Sequence, residues 1–505
     1  MSAGRAGRAG RAGGSLLLRD VEVDGRRVDV RVEAGRVAQV APGLRRREAR
    51  EAGHEEVVDG RGGALLPGLH DHHVHLLAMA AASASVAVGP ADVGDRAGLA
   101  AALAGAPSDR AGWVRAVGYH EAVAGPLDRD VLDALAPGRK VRVQHRSGQL
   151  WCLSSPALEA VLGDGLPPAC VELDDRGRPT GRIWRGDDWL RSRLPDPAPG
   201  EVADRLAAIG SALAAAGVTG LTDATPHAEQ DPPAVLVDAV AAGRLPQRLV
   251  LMSAGPLRPG PSGSPGAGPV QVGPVQVGPV KVGPVKVVLD DPRLPGLDAV
   301  VDAVRGARRQ GRAVAVHCVT LAELALAVTA FEVAGPVPGD RIEHGGVVPR
   351  DWMPRLAALG LTVVTQPGFV AERGDQYRRD VDPADLDALY PCASLLAAGV
   401  AVGAGSDAPY GRPDPWAAMR AAVDRTTGEG VVLGVDERVG PDRALALFLG
   451  RSGAPGGPPR RVEPGAPADL CLLHVPWAEA RAVLDATLVA ATVIAGRVVP
   501  REAGT

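Results

Sequence analysis

The chain has 505 residues, 46% of them hydrophobic, and a formal net charge of −4. That is enough apolar material for a sizeable core, and the charge balance excludes a protein that grips a polyanion through basic surface. No apolar run reaches the length of a membrane span, and the five cysteines (Cys152, Cys170, Cys318, Cys392, Cys471) form no CxxC pair, which reads as reduced thiols in a cytoplasmic protein.

Residues 1–14, MSAGRAGRAGRAGG, form a basic low-complexity tail without a signal-peptide apolar stretch, and are expected to be disordered. From Ser15 the chain runs in short alternating segments, LLLRDVEVDG, RRVDVRVEAG and RVAQVAPG, each closed by turn residues. ADLCLLHVP and ATVIAGRVVP repeat that pattern near the other end. Residues 15–64 and 458–505 are therefore expected to make one small β-sandwich from both chain ends.

Between them, residues 65–457 alternate apolar strands with helical segments. The eight strand candidates are ALLPGLHDHHVH, GVTGLTDA, RLVLMSAG, VKVVLDD, AVAVHCVT, RIEHGGVV, LTVVTQPG and VAVGAGSDAP. Helical stretches such as LDAVVDAVRGARRQG and LAELALAVTAFEVAG follow them. The fold class is α/β, a (β/α)8 TIM barrel. A long insertion, residues 80–204, separates the first two strands and is read as a lid or substrate wall.

Ahead of the fourth strand, GPVQVGPVQVGPVKVGPVKV writes one five-residue unit four times from Gly268. A period of five turns successive units to opposite strand faces, and each proline removes a ladder donor. Residues 268–283 are therefore expected to be an extended linker, with the strand starting after Pro284; Lys281 then lies in the linker and Lys286 in the strand.

Polar residues recur at the strand ends, where barrel active sites are assembled. His73 and His75 lie two apart, with Asp71 on the same face, and make a chelating pair of imidazoles. Lys286 follows on the fourth strand, His317 on the fifth, His344 on the sixth and Asp407 on the eighth. Singly, His317 or His344 reads as a packing residue, and Asp407 or Ser406 as a helix N-cap. Together they read as a metal site.

PGLHDHHVH, VKVVLDD, AVHC, RIEHGGVV and GSDAP, in that order, resemble the amidohydrolase superfamily. GW…GYHE, HRSGQLWCLSSPAL, GVTGLTDA, SDAPYG and the closing RVEPGAPADLCLL are similar to amidohydrolase family 3, which includes N-substituted formamide deformylase-like enzymes. The resemblance implies that His73, His75, Lys286, His317, His344 and Asp407 bind metal, two zinc ions being the first expectation, with manganese, cobalt or iron as other options. It implies a CO2-derived carbamate on Lys286 bridging the metals. It also implies hydrolysis of a non-peptide C–N bond (a small amide, formamide-type, N-acyl or cyclic amide) by metal-bound hydroxide, with Asp407 as general base. Deamination of an amidine-like heterocycle is the second enzymatic option, and a non-catalytic barrel scaffold a third, which the complete ligand set disfavours.

Two departures from the family pattern stand out. The link from Lys286 to His317 is short, and Gln149 occupies the place of a family histidine near the substrate. Glutamine hydrogen-bonds but cannot act as an acid, which makes nearby His145 the candidate to compensate. Trp151, Trp184, Gln366 and Tyr377 complete the candidate substrate-binding residues, although packing explains each tryptophan equally well. The expected partner is a small-molecule substrate, with no nucleic acid and no membrane, in a chain that could form a homodimer.

Overall fold

Leu16–Val23, Arg26–Glu33 and Arg36–Ala41 form an antiparallel meander, to which Glu56–Asp59 adds in parallel beside the first strand. Its buried valines and leucines share one core with Leu470, Leu472 and Val493 of a second four-stranded sheet, built from Leu65–Pro67, Leu470–Leu473, Val489–Ile494 and Arg497–Val498. The two sheets make an antiparallel sandwich from opposite ends of the chain. The computed structural model describes residues 15–46, 55–163, 167–198, 200–227, 232–254 and 274–500; the basic tail and the start of the GPV repeat lie outside them.

Eight parallel strands follow: β1 (Leu69–Val74), β2 (Val218–His227), β3 (Arg248–Ser253), β4 (Val280–Val288), β5 (Val314–Cys318), β6 (Arg341–His344), β7 (Thr362–Thr365) and β8 (Ala401–Ala404). They pair in chain order. The ring closes where Asp407 N donates to His73 O (2.7 Å) and His75 N to Ala408 O (2.8 Å). Gly405 permits that approach, since a Cβ there would lie 2.6 Å from the backbone nitrogen of His73. Helices Leu297–Arg309, Leu321–Ala334, Gly368–Asp380 and Pro415–Asp424 alternate with the later strands, which makes this a (β/α)8 barrel. No described helix is long and apolar enough to cross a membrane.

The GPV repeat departs from the linker expected of it. β4 begins at Val280, ahead of Pro284, and Val275–Val277 folds back on it as an antiparallel hairpin. Proline is tolerated because the β3–β4 register shifts there, from Leu251↔Val282 to Ser253↔Val285, and pairing with β5 begins only at Val285. Lys281 is thus a strand residue too, but an exposed one, whereas Lys286 is only 4% exposed.

The chain divides into two compact units, one running to His75 and resuming at Leu206, the other spanning Leu76–Arg205. Sandwich and barrel belong to the first. The second, which contains most of the insertion, is a folded α/β unit with its own six-stranded sheet, from Val86–Ala87, Trp113–Tyr119, Lys140–His145, Leu150–Leu153, Pro179–Trp184 and Val171–Leu173.

Candidate metal centre

All six residues of β1 are buried, so its histidines lie inside the protein on both sides of the strand. His70 and His72 stack at 4.4 Å, and His70 Nε2 meets Thr222 Oγ1 at 2.9 Å. His73 and His75 turn instead toward the end of β8. Their Nε2 atoms lie 3.5 and 3.1 Å from Asp407 Oδ1, and the three side chains offer ligand atoms within 4.8 Å of one another. His344 joins them, its ring 4.7 Å from that of His73, and His317 stands 4.5 Å from His344.

Two of these residues depend on unusual backbone. His344 has φ 69° and Asp407 φ 55°, in the left-handed region that non-glycine residues seldom adopt. Regular alternation along β6 would send Glu343 and His344 to opposite sides. The left-handed turn at His344 releases it from that alternation, and both side chains reach His73.

Desolvation dominates the electrostatics. Burial lowers His73 and His317, and lowers His344 to about 3, which keeps these imidazoles neutral and able to donate lone pairs. Burial also lowers Lys286, whose Nζ is enclosed with no hydrogen-bond partner. For Asp407, burial pushes the carboxyl up, but the His75 hydrogen bond and the fields of His73 and His344 outweigh it and hold the group below the usual carboxylate range. Asp71 goes the other way: burial raises it to about 6, against hydrogen bonds from Ser406 and His73. Its Oδ1 accepts from Ser406 N (2.9 Å) and His73 N (3.2 Å), which ties the ends of β8 and β1 together.

The enclosed polar atoms test whether a metal suits this place. His73 Nε2 and Lys286 Nζ are both buried without hydrogen-bond partners, a costly state unless a cation or solvent completes them. Neutral imidazoles with an ionised carboxylate are the donor set of zinc and related divalent ions. The residues fit such a group.

Several neighbours of the centre were invisible to sequence reasoning. The Glu343 carboxylate hydrogen-bonds His73 Nδ1 and pairs with Arg341 Nε at 2.5 Å. Thr225 Oγ1 lies 2.9 Å from His75 Nδ1. The one signal for Glu343 was a pair of charges, Arg341 and Glu343, alternating inside an otherwise apolar strand.

The candidate substrate residues take other places. Gln366 is buried, with Oε1 2.8 Å from His344 Nδ1. Tyr377 stacks on Tyr390 at 5.9 Å. In the other unit, Trp151 is a core residue packed with Trp113, Leu153 and Leu158, its indole N–H donated to Asp187; packing is its role. Trp184 donates to Glu172 Oε2 at 2.9 Å. Gln149 sits in the turn after His145, its carbonyl accepting from Arg185 N.

His145 belongs to a second cluster, with His120 and Glu121, whose ligand atoms also lie within 4.8 Å of one another. Its hydrogen bonds set it apart. His120 Nδ1 accepts from Ala122 N and His145 Nδ1 from Ser147 N, both at 3.1 Å. With Nδ1 accepting, Nε2 is the donor: that of His145 hydrogen-bonds Glu121 Oε2 at 3.1 Å, and that of His120 stands 3.7 Å from the same oxygen. His145 thus serves Glu121 as a hydrogen-bond donor, with no lone pair of its own aimed at that carboxylate.

The model of the amidohydrolase family matches residues 56–500, most of the chain. The chain belongs to the amidohydrolase family. This amidohydrolase is 24% identical over 438 residues to YtcJ of Bacillus subtilis (strain 168), whose name places it among amidohydrolases, covering 82% of this chain and 83% of that one. It is 30% identical over 182 residues to the N-substituted formamide deformylase of Arthrobacter pascens, a match that spans 35% of this chain and only 29% of the deformylase. Among solved structures, an uncharacterized metal-dependent hydrolase from Pyrococcus horikoshii OT3 shares the fold at a TM-score of 0.68 and 18% identity, over 94% of this chain and 99% of that one. As a family member the protein is a hydrolase of carbon–nitrogen bonds other than peptide bonds.

Proposed function

We propose that this amidohydrolase cleaves the C–N bond of a small formamide-type, N-acyl or cyclic amide at a centre of two divalent ions, zinc being the favoured metal, in the cytoplasm. The observation that carries this reading is the convergence of His73, His75, His344 and Asp407, with His317 beside them, on one buried place that also encloses an unpartnered lysine. The named activity of the Arthrobacter pascens relative supports the formamide class.

His73, His75, His317, His344 and Asp407 would hold the ions through ring nitrogens and carboxylate oxygens. Such ions would supply a water with its pKa lowered to about 7 and a Lewis acid for the substrate carbonyl. Lys286 is suited to carbamate formation because burial favours its neutral amine. That neutral amine adds to CO2 with loss of one proton, giving an anionic carbamate with two oxygens. A lysine so placed weighs toward hydrolysis over one-metal deamination.

Asp407 moves the protons. Ionised in the free site, its carboxylate accepts a proton from the attacking water and hands it to the departing nitrogen, so the products are a carboxylic acid and an amine. The left-handed backbone at Asp407 aims that carboxylate at the same place as the imidazoles.

Metal analysis of purified protein, with turnover of a panel of N-formyl, N-acyl and cyclic amides, tests the reading. Two metals per chain and turnover in that panel are expected. Less than one metal per chain, with no turnover restored by zinc, manganese or cobalt, overturns it.

A further inference from the structure

A neutral imidazole offers a lone pair at only one nitrogen; the other carries the proton. The partner at Nδ1 therefore decides whether Nε2 can bind a metal. The imidazoles of the centre differ in how firmly that choice is made. His75 Nδ1 meets a threonine hydroxyl, which can donate or accept. His344 Nδ1 meets the Gln366 amide, whose NH2 reaches Val364 O at 3.4 Å. His73 Nδ1 hydrogen-bonds a carboxylate, a group that when ionised can only accept, whereas the nearest carboxylate oxygen to His344 Nδ1 stands at 4.0 Å.

We infer that Glu343 is a positioning residue of the metal centre, holding the His73 proton on Nδ1 and presenting the Nε2 lone pair to the ion. This rests on the assignment of His73 as a ligand made above. Three observations carry it. His73 Nε2 is buried, has no hydrogen-bond partner and lies 3.5 Å from Asp407 Oδ1, so the nitrogen opposite Glu343 is the one aimed into the centre. Glu343 is itself fully buried and braced by Arg341, Nε to Oε1 at 2.5 Å, so it is a fixed acceptor rather than a mobile one. Lastly, the same chain contains a counter-example. His145 Nε2 is as close to Glu121 as His75 Nε2 is to Asp407, at 3.1 Å, yet its Nδ1 accepts from Ser147 N at 3.1 Å, beside the Ser147 hydroxyl at 2.8 Å, which turns Nε2 into a donor. Proximity is alike in the two clusters; the partner at Nδ1 separates them.

The test is calorimetric titration of Zn2+ into metal-free protein, with Glu343→Leu and Glu343→Gln beside the unaltered chain. Leucine removes the acceptor, whereas glutamine keeps a carbonyl in nearly the same shape. Glu343→Leu is expected to weaken zinc binding by about 10–100-fold, the range for partners that orient metal-binding histidines, while Glu343→Gln retains most of the affinity. Equal affinity in Glu343→Leu and the unaltered chain overturns the inference. So do equal losses in both variants that track the unfolding midpoints of the metal-free proteins, since that is a packing effect. Ring-nitrogen NMR shifts of His73 in the unaltered metal-free protein give a readout that needs no variant: a proton on Nδ1 is expected, and a proton on Nε2 overturns the inference. Failure of the unaltered chain to take up zinc counts against the metal centre itself, whereas zinc uptake indifferent to Glu343→Leu removes only the positioning role.

Discussion

Two lysines in identical VGPVKV contexts end with opposite fates. Lys281 lies before the register shift at Pro284, where β4 pairs with the Val275–Val277 hairpin, and is exposed; Lys286 lies after it, where β5 pairing has begun, and is enclosed. Lys286→Ala is expected to lower metal content from two ions to at most one per chain, read by elemental analysis. Lys281→Ala should leave metal content unchanged and shift stability by no more than about 0.5 kcal/mol, as for an ordinary surface site. Asp407→Asn removes the proton acceptor and should lower kcat by about 10²–10⁴-fold on whichever amide is turned over. Glu121 carries a pH prediction. The His145 hydrogen bond, against the cost of burial, lowers its carboxyl from 4.5 to about 2, with the fields of His145 and His120 adding to it. Its stabilisation is complete above 4.5, where the unfolded carboxyl is also ionised, and is lost as pH falls toward about 2. Glu121→Gln should therefore flatten the acid limb of the unfolding midpoint against pH over that window. At this scale the histidines and Asp407 were legible because imidazole and carboxylate at strand ends are conspicuous. Glu343 and Gln366 were not, because a hydrogen bond between strands leaves no mark on the spacing within either one.

At the scale of the element, the eight barrel strands were readable from apolar runs bounded by turn residues. The start of β4 was misjudged for a physical reason: proline forbids a ladder hydrogen bond only where one would form. Pro284 sits where the β3 register shifts and before β5 pairing begins, so its missing N–H interrupts neither ladder. Pro284→Ala should accordingly change the unfolding free energy by less than about 1 kcal/mol, measured by denaturant titration. The junction of β8 with β1 is the opposite case. A Cβ at Gly405 would lie 2.6 Å from both the backbone nitrogen and the Cβ of His73. Gly405→Ala should cost about 1–3 kcal/mol of stability by overpacking, and should also weaken zinc uptake because His73 must shift.

For the whole molecule, metal and fold are linked by mass action. An ion at 100 times its dissociation constant stabilises the folded state by about 2.7 kcal/mol, so chelation should lower the unfolding midpoint and added zinc should restore it. The insertion illustrates what a one-dimensional reading leaves out. Its length and position were evident, but its six-stranded sheet and separate cores draw Trp151 into packing and bind His145 to Glu121. From the order and periodicity of its residues alone, the chain is determined as an α/β barrel with strand-end imidazoles, a strand-four lysine and a strand-eight aspartate, since these depend on local pattern and on where barrel strands end. Which of two lysines is desolvated, and which side chains meet the Nδ1 atoms of His73, His75, His344 and His145, were decided by the tertiary structure. Those properties depend on partners brought together from distant parts of the chain and on the exclusion of water around them.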